Sequence, residues 1–379
     1  MKIRCNEIYT EDNCIDGVLE FENGKITNIF KYDGFENDMF DARGYRLIPG
    51  IIDIHTHGYK GCCAHSIIDE ELVRLCKVMA SAGVTSFLPT AGEHFKDEML
   101  NLKLLAELIE NQKEGAKILG IHMEGPFLNP NRKGAFSLDQ LLPCSIDKMK
   151  EYLNASKNHI KYVSMAPELD DNGELITYLK DKDILVAGGH TTASADEYRK
   201  GIDYGISAST HTGNGMQQID RRDVGALGAA LLSDIYCEII CDFHHISKDM
   251  LDIMFKIKND YNKFIMISDS ADISGFEPGP YNMNGQARYI DEGGLIHLED
   301  GTICGSSHNI LYGIKNLEKH MNINMNDVLK MSSLNAARFL KIDSEKGSLK
   351  IGKDADFVII DNNYKVLQTY VEGKCEYIK

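Results

Sequence analysis

Two histidines one residue apart, His55 and His57, close an apolar run in the segment Pro49-Gly50-Ile51-Ile52-Asp53-Ile54-His55-Thr56-His57-Gly58. In extended backbone, residues two apart point to the same side, so both imidazoles can serve one metal ion. The pair by itself is weak evidence: with 13 histidines in 379 residues, chance supplies roughly 0.4 such pairs. Position carries more weight. Similar endings recur at His122-Met123-Glu124-Gly125-Pro126, Gly188-Gly189-His190-Thr191, His211-Thr212-Gly213-Asn214 and Ser268-Asp269-Ser270, where an extended apolar run ends in a side chain able to bind metal or move a proton. A lone His or Asp at a strand end is ordinarily a cap or a satisfied core residue. Repeated at so many ends, these residues instead form the ligand set of a Zn²⁺ or Fe²⁺ site that keeps a coordination position open for water.

The elements that would position them can be counted. Strand candidates are Ile51–His55, Val84–Pro89, Ile118–Met123, Lys161–Ala166, Ile184–Ala187, Ile206–His211, Tyr236–Cys241 and Phe264–Ile267. Between them lie segments of helical period, such as Glu70–Ala82 with Leu72, Leu75, Cys76 and Met79 on one face, and Asp97–Gln112 with Leu100, Leu104, Leu105 and Leu108. Another follows near Asn309–His320. Short buried runs alternating with helices predict an α/β fold, a TIM-like (β/α)8 barrel over residues 49–344, with an open doubly wound sheet as the alternative on pattern alone. The carboxyl ends of barrel strands are where such a fold places its site. Residues 1–48 and 345–379 carry short extended runs broken by turn signals, Asp16-Gly17, Asn23-Gly24 and Asp361-Asn362-Asn363. Neither end can bury a core alone, so the two together are expected to form one small β-sandwich domain into which the barrel is inserted.

Composition narrows the partners. The net charge is 41 − 57 = −16, which argues against nucleic acid and against an acidic membrane surface. With 43% hydrophobic and 26% charged residues, the chain has a globular composition. No apolar run approaches a membrane span and MKIRCNEIYT lacks the apolar stretch of a signal peptide, so a cytoplasmic protein is expected. Its 10 cysteines are spread from Cys5 to Cys375 without a CxxC pair; reduced thiols are the expectation.

The segments PGIIDIHTHG, HMEGPF, GGHT and SDS, in this order and spacing, resemble the N-acetylglucosamine-6-phosphate deacetylases of the amidohydrolase superfamily, and the resemblance extends to Gly347-Ser348-Leu349-Lys350-Ile351-Gly352-Lys353-Asp354-Ala355-Asp356-Phe357. HMEGPF is the discriminating motif; PGxxDxHxHG and the Gly-Lys-Asp-Ala-Asp stretch mark only the superfamily. The resemblance implies one or two divalent ions per subunit, Zn or Fe. Glu124, His190 and His211 would hold the principal ion, His55 and His57 a second, with Glu124 bridging. It makes Asp269 the catalytic carboxylate, Asn214 and Gly215 a substrate-contacting turn, and Ile303-Cys304-Gly305 a backbone stretch near the sugar. Arg222 and His245 would bind the phosphate across the interface of a homodimer. The implied reaction is hydrolysis of N-acetyl-D-glucosamine 6-phosphate to glucosamine 6-phosphate and acetate.

One departure stands out. Where the family usually carries Lys-Gly-x-His, this chain has Lys133-Gly134-Ala135-Phe136. Phenylalanine donates no hydrogen bond, so polarisation of the acyl carbonyl falls to the metals or to a substitute such as His94. Other amidohydrolase chemistry on the same barrel, directed at another N-acyl amino sugar or a cyclic amide, is the runner-up. A non-catalytic barrel would be expected to have lost metal ligands or the acid/base, and His55, His57, Glu124, His190, His211 and Asp269 are all present. Of His244-His245, adjacent residues facing opposite ways, only one should reach the site. Ser274–Tyr281 reads as a surface loop or a cover over the site.

Overall fold

The structure is a computed structural model and describes residues 1–34, 38–92, 97–283 and 285–379. Parallel strands follow one another in chain order around a ring: Ile51–Thr56, Val84–Ala91, Ile121–Glu124, Ile160–Met165, Leu185–Gly188, Ile206–Ser209, Tyr236–Ile239 and Phe264–Met266. The eighth strand meets the first through single contacts. The Asp269 N–H donates to His55 O at 3.0 Å and the His57 N–H to Ser270 O at 2.7 Å, while the Ser268 hydroxyl donates to the Asp53 carboxylate at 2.5 Å. The ring is therefore a nearly closed (β/α)8 barrel, and the open-sheet alternative falls. Helices Asp69–Ser81, Glu98–Asn111 and Ile310–Met321 occupy the segments that apolar periodicity marks.

Inside the barrel, side chains stack in a column from its lower end to the site. Phe339, on the short helix Asn335–Phe339, plugs the bottom and meets the Tyr162 ring at 5.2 Å. Tyr162 stacks on His122 at 4.4 Å, and His122 lies 4.5 Å from His55. The metal-competent residues thus rest on a filled core.

Strands from both ends of the chain form one mixed sheet, ordered Lys374–Ile378, Val366–Val371, Phe357–Ile360, Arg46–Pro49, Lys2–Tyr9, Cys14–Glu22, Lys25–Lys31, with Phe40–Asp41 beside Lys2–Tyr9. Its core gathers Ile3, Leu19, Ile26, Leu47, Phe357 and Tyr370. Lys346 anchors the return from barrel to sheet, buried at 6% exposure and 2.8 Å from both Asp354 and Asp356. Lys346→Met would take the cation from buried Asp356 and leave Asp354 with Lys25 alone, 2.6 Å away. We expect it to cost about 3–5 kcal/mol, measured by urea unfolding; a loss below about 1 kcal/mol would show that the carboxylates find other partners.

Two elements depart from the sequence expectation. The run Ile118–Met123 is not one strand: Lys117–Ile118 pairs with Val84–Ala91, and the barrel strand proper begins at Ile121. Gly120 marks the break, because a Cβ there would lie 2.4 Å from Lys161 Cγ. The second departure is larger. Gly279–Met283, Gln286–Ile290, Leu295–Leu298 and Ile303–Ser306 form a four-stranded antiparallel sheet between the eighth barrel strand and helix Ile310–Met321. The segment expected as a loop over Ser274–Tyr281 therefore ends inside a strand. These strands are short and mostly part-exposed, so they lack the continuous apolar runs that betray barrel strands. Among the described residues no helix is long and apolar enough to cross a membrane, and all 10 cysteines are free.

Candidate active site

Two groups of ligand-competent atoms meet above the column: Glu124, His190 and His211 in one, His55, His57 and Asp269 in the other. Glu124 faces both. Its Oε1 lies 3.1 Å from His190 Nε2 and 3.0 Å from His211 Nε2, and these two nitrogens are 3.1 Å apart. Its Oε2 lies 3.2 Å from His57 Nε2 and 3.5 Å from His55 Nε2. Asp269 Oδ1 completes the second group at 3.5 Å from His55 and 3.6 Å from His57. A tetrahedral ion with ligands at 2.0–2.2 Å holds them about 3.3–3.6 Å apart; the two Asp269 contacts fall in that range, and the triangle of Glu124, His190 and His211, at 3.0–3.1 Å, is slightly tighter.

The tautomers fit the same reading. His190 Nδ1 lies 2.6 Å from Arg132 O and must donate to it, which leaves the Nε2 lone pair directed at the cluster. His55 Nδ1 donates to Glu238 Oε2 at 3.2 Å, with the same consequence for its Nε2. Carbonyl or carboxylate support behind a ligating imidazole is what metal sites require. His57 Nδ1 is 3.2 Å from His65 Nε2. The charges are mutually tuned. Burial pushes the Glu124 carboxyl up, but His55 and the hydrogen-bonding His190 and His211 outweigh it and hold it well below the usual range. Burial likewise raises Asp269, and His55 with its neighbours reverses the sign, leaving a carboxylate that is ionised and a weak base. His122 is the exception among these histidines. Burial, then the neighbouring His55, pull it well down; it stays neutral between Thr90 and Ser164 and is a support, not a ligand.

Glu238 went unread in the sequence. It is fully buried in the seventh barrel strand, accepts the Tyr162 hydroxyl at 2.8 Å, and accepts both His55 Nδ1–H and the His211 backbone N–H, the latter at 2.9 Å. One carboxylate thereby sets a ligand of each group. The available signal was a charged residue inside the apolar run Tyr236-Cys237-Glu238-Ile239-Ile240. Glu238→Gln is expected to weaken metal binding about 10–100-fold, read by competition with a chromophoric chelator; unchanged affinity would reduce Glu238 to a packing role.

Backbone conformation is specialised at the same positions. His190, His211 and Asp269 follow their strands with φ of 46°, 26° and 47°, a region that costs a non-glycine residue of order 1–3 kcal/mol. Hydrogen bonds hold them there: Asn129 N–H donates to His190 O at 2.9 Å and Ser306 N–H to Asp269 O at 2.9 Å. Gly134 is required for a related reason, since its φ is +58° and a Cβ would fall 2.8 Å from His190 Cε1.

A cavity of about 270 Å³ opens over the two groups. Besides ligands and Asp269, its walls include the expected Asn214, Gly215, His245, Ile303, Cys304 and Gly305. His245 is well prepared to meet an anion. Burial lowers its pKa, but the hydrogen bond to Asp242 at 2.7 Å outweighs this and raises it, while Nε2 is buried without a hydrogen-bond partner among the described residues. Arg222 is different: its side chain is exposed and absent from the cavity wall of its own chain. Phe136 does line the wall, with its ring edge-on to His190 at 5.7 Å. His94 lies outside the described residues. Arg288 and Gln286, from the added antiparallel sheet, also line the cavity; nothing in the sequence pattern had pointed to them.

A barrel with metal-competent His, Glu and Asp side chains at its strand ends is the architecture of metal-dependent amide and ester hydrolases, and the Amidohydrolase family profile matches residues 46–375. The chain belongs to the amidohydrolase family. Over 380 residues it is 32% identical to the N-acetylglucosamine-6-phosphate deacetylase of Bacillus subtilis, covering 98% of this chain and 96% of that one. It is also 27% identical to the N-acetylgalactosamine-6-phosphate deacetylase of Escherichia coli O157:H7, over 98% of each. The crystal structure of the N-acetylglucosamine-6-phosphate deacetylase from Pasteurella multocida superposes with a TM-score of 0.90 at 27% identity, covering 99% of both chains.

Proposed function

We propose that this protein hydrolyses N-acetyl-D-glucosamine 6-phosphate to D-glucosamine 6-phosphate and acetate, with Glu124, His190 and His211 holding one divalent ion and His55 and His57 a second that Glu124 shares. The observation that carries this reading is the division of the Glu124 carboxylate, one oxygen toward each histidine pair. Bound there, such ions supply Lewis-acid polarisation and bring the pKa of a water to about 7. The remaining steps belong to the chain. Asp269, ionised and beside both groups, takes a proton from the attacking water and passes it to the departing nitrogen; a depressed pKa makes it a ready donor in that second role. The amide C–N bond breaks, the acyl carbon gains the water's oxygen and the nitrogen leaves as an amine. Phe136 supplies an apolar wall and no hydrogen bond, so orientation of the acyl group rests on the other side chains around it.

His245, fixed by Asp242 and among the residues that line the cavity, would be the phosphate contact within one chain. Arg222, exposed near Asn214 in sequence, would serve a neighbouring subunit's site in a homodimer. A hydrogen bond from a charged donor contributes about 1.5–3 kcal/mol, so His245→Gln is expected to raise KM for the phosphorylated sugar about 10–100-fold with a smaller change in kcat. Because His245 must be protonated to contribute fully, the wild-type KM should rise with pH as that proton is lost, and the variant's should not. The similarity to the Escherichia coli enzyme makes N-acetylgalactosamine 6-phosphate the second substrate to assay. An acetate-release assay on both sugar phosphates and on unphosphorylated N-acetylglucosamine decides the matter: activity confined to the unphosphorylated sugar would overturn the phosphate assignment.

A further inference from the structure

The fourth barrel strand, Ile160–Met165, stands between the third and the fifth in the ring, yet its end supplies no side chain to either group of metal-competent atoms. The turn that follows it, Pro167–Leu169, carries Glu168. Four hydrogen bonds from three residues converge on that carboxylate. Oε1 accepts from the Thr192 N–H at 2.7 Å, the Asn129 side-chain amide at 2.9 Å and the Thr192 hydroxyl at 3.2 Å, and Oε2 accepts from the Thr191 hydroxyl at 2.5 Å. The donors are tied to one another as well. The Asn129 amide also donates to Thr192 Oγ1 at 2.8 Å, and Thr191 Oγ1 accepts from the Ala193 N–H at 2.9 Å.

What this network encloses is His190. Asn129 and Arg132 belong to the loop after the third strand, and Thr191 follows His190 directly. The Asn129 N–H donates to His190 O at 2.9 Å, and Arg132 O accepts from His190 Nδ1 at 2.6 Å. Within the loop the Arg132 N–H donates to Asn129 O at 2.8 Å and the Asn131 N–H to Asn129 Oδ1 at 2.9 Å. One loop therefore holds both the backbone and the ring of His190, and Glu168 ties that loop to the chain just beyond it. His190 needs such support: its φ of 46° is unfavourable for a residue with a Cβ and persists where the surroundings over-determine it. The Thr191 N–H donates onward to Gly215 O at 3.0 Å, so the network reaches a turn that lines the cavity.

We infer that Glu168 is a positioning residue for the metal centre: by tying Asn129 to Thr191 and Thr192 it keeps His190 Nε2 directed at Glu124 and His211, and so sets the affinity of that group for a divalent ion. This rests on the two-metal reading above. Glu168 lies outside both metal-competent groups and outside the cavity wall, so its effect passes through geometry. A carboxylate suits the place because it is all acceptor and meets all four donors, whereas glutamine brings one oxygen and two N–H groups. Without that acceptor the loop no longer fixes the Arg132 carbonyl behind Nδ1, and the orientation and tautomer of the imidazole are no longer set. Glu238 gives equivalent support to His55 and His211; Glu168 extends it to His190.

The test is Zn²⁺ affinity, read by competition with a chromophoric chelator in a His57→Ala background, where the group of Glu124, His190 and His211 is left to hold one ion. Adding Glu168→Ala should weaken binding about 10–100-fold, and Glu168→Gln, which keeps the shape and one acceptor, should fall between that variant and its parent. Affinities are compared at a temperature where far-UV circular dichroism shows every metal-free protein folded, so that lost stability does not pass for lost affinity. Unchanged affinity in folded Glu168→Ala would overturn the inference and leave Glu168 a structural residue, whatever its effect on Tm. Should Glu168→Ala fail to fold, Glu168→Gln decides: an affinity equal to the parent's overturns the inference, and a weaker one in the folded protein supports it. A wild type that binds no Zn²⁺, or a His57→Ala protein that binds none, would instead sink the two-metal reading, and this inference with it.

Discussion

An Asp269→Asn protein is expected to turn over N-acetylglucosamine 6-phosphate with kcat about 10²–10⁴-fold below wild type while KM moves little. The substitution changes one atom and keeps the shape of the side chain. It keeps the backbone too, because the strained φ of 47° is enforced by hydrogen bonds from the Asp269 N–H to His55 O and from Ser306 N–H to Asp269 O, neither of which involves the side chain. What it removes is the ability to take and return a proton. Asp269 also belongs to the group with His55 and His57, and metal analysis separates the two roles. Its oxygen stands 3.5 and 3.6 Å from their nitrogens, farther than Glu124 stands from His190 and His211. We therefore expect the variant to keep its full metal complement while losing turnover. A wild-type kcat in the metal-replete variant would remove Asp269 from the proton path; loss of an ion together with activity would make it chiefly a ligand.

The barrel was legible in the sequence because its strands are buried on both faces. Ile51–Thr56 and Val84–Ala91 contain no exposed residue, and runs of that kind leave a mark that alternates with helical period. The metal-competent side chains were legible because the fold confines chemistry to strand ends, so His55, Glu124, His190, His211 and Asp269 stood at equivalent places. Two kinds of feature were not. Glu238 acts from within a strand by supporting His55 and His211, and a single buried acid shows its purpose only when its partners are known. Arg288 comes from an antiparallel sheet whose part-exposed strands carry weak patterning, and its partner Asp272 is distant in sequence. Arg222, which reads as a site residue by resemblance, is exposed and absent from the cavity wall of its own chain. Local propensity thus revealed where the site is, whereas the supporting and wall residues depend on long-range contacts.

Glu124→Ala should have the broadest effect on the metal centre of any single change, because no other side chain belongs to both histidine pairs. Each of its oxygens faces a different pair, Oε1 toward His190 and His211 and Oε2 toward His57 and His55. The side chain is 4% exposed, so water cannot readily replace it. Removing it leaves Asp269 as the carboxylate facing the imidazole Nε2 atoms, on the side of His55 and His57 only, with Glu238 behind His55. Two cations would then face each other without the anion that screens them. We expect metal content to fall toward zero and activity to drop by more than about 10³-fold, the scale of several kcal/mol of lost charge stabilisation. His57→Ala supplies the comparison. It touches one group only, so it should lose at most one ion and keep the one held by Glu124, His190 and His211. Far-UV circular dichroism guards against unfolding, which the column of Phe339, Tyr162 and His122 beneath the site should prevent. If the folded Glu124→Ala protein kept two ions, or if His57→Ala emptied both groups, a shared Glu124 could not be the feature that joins the two sites.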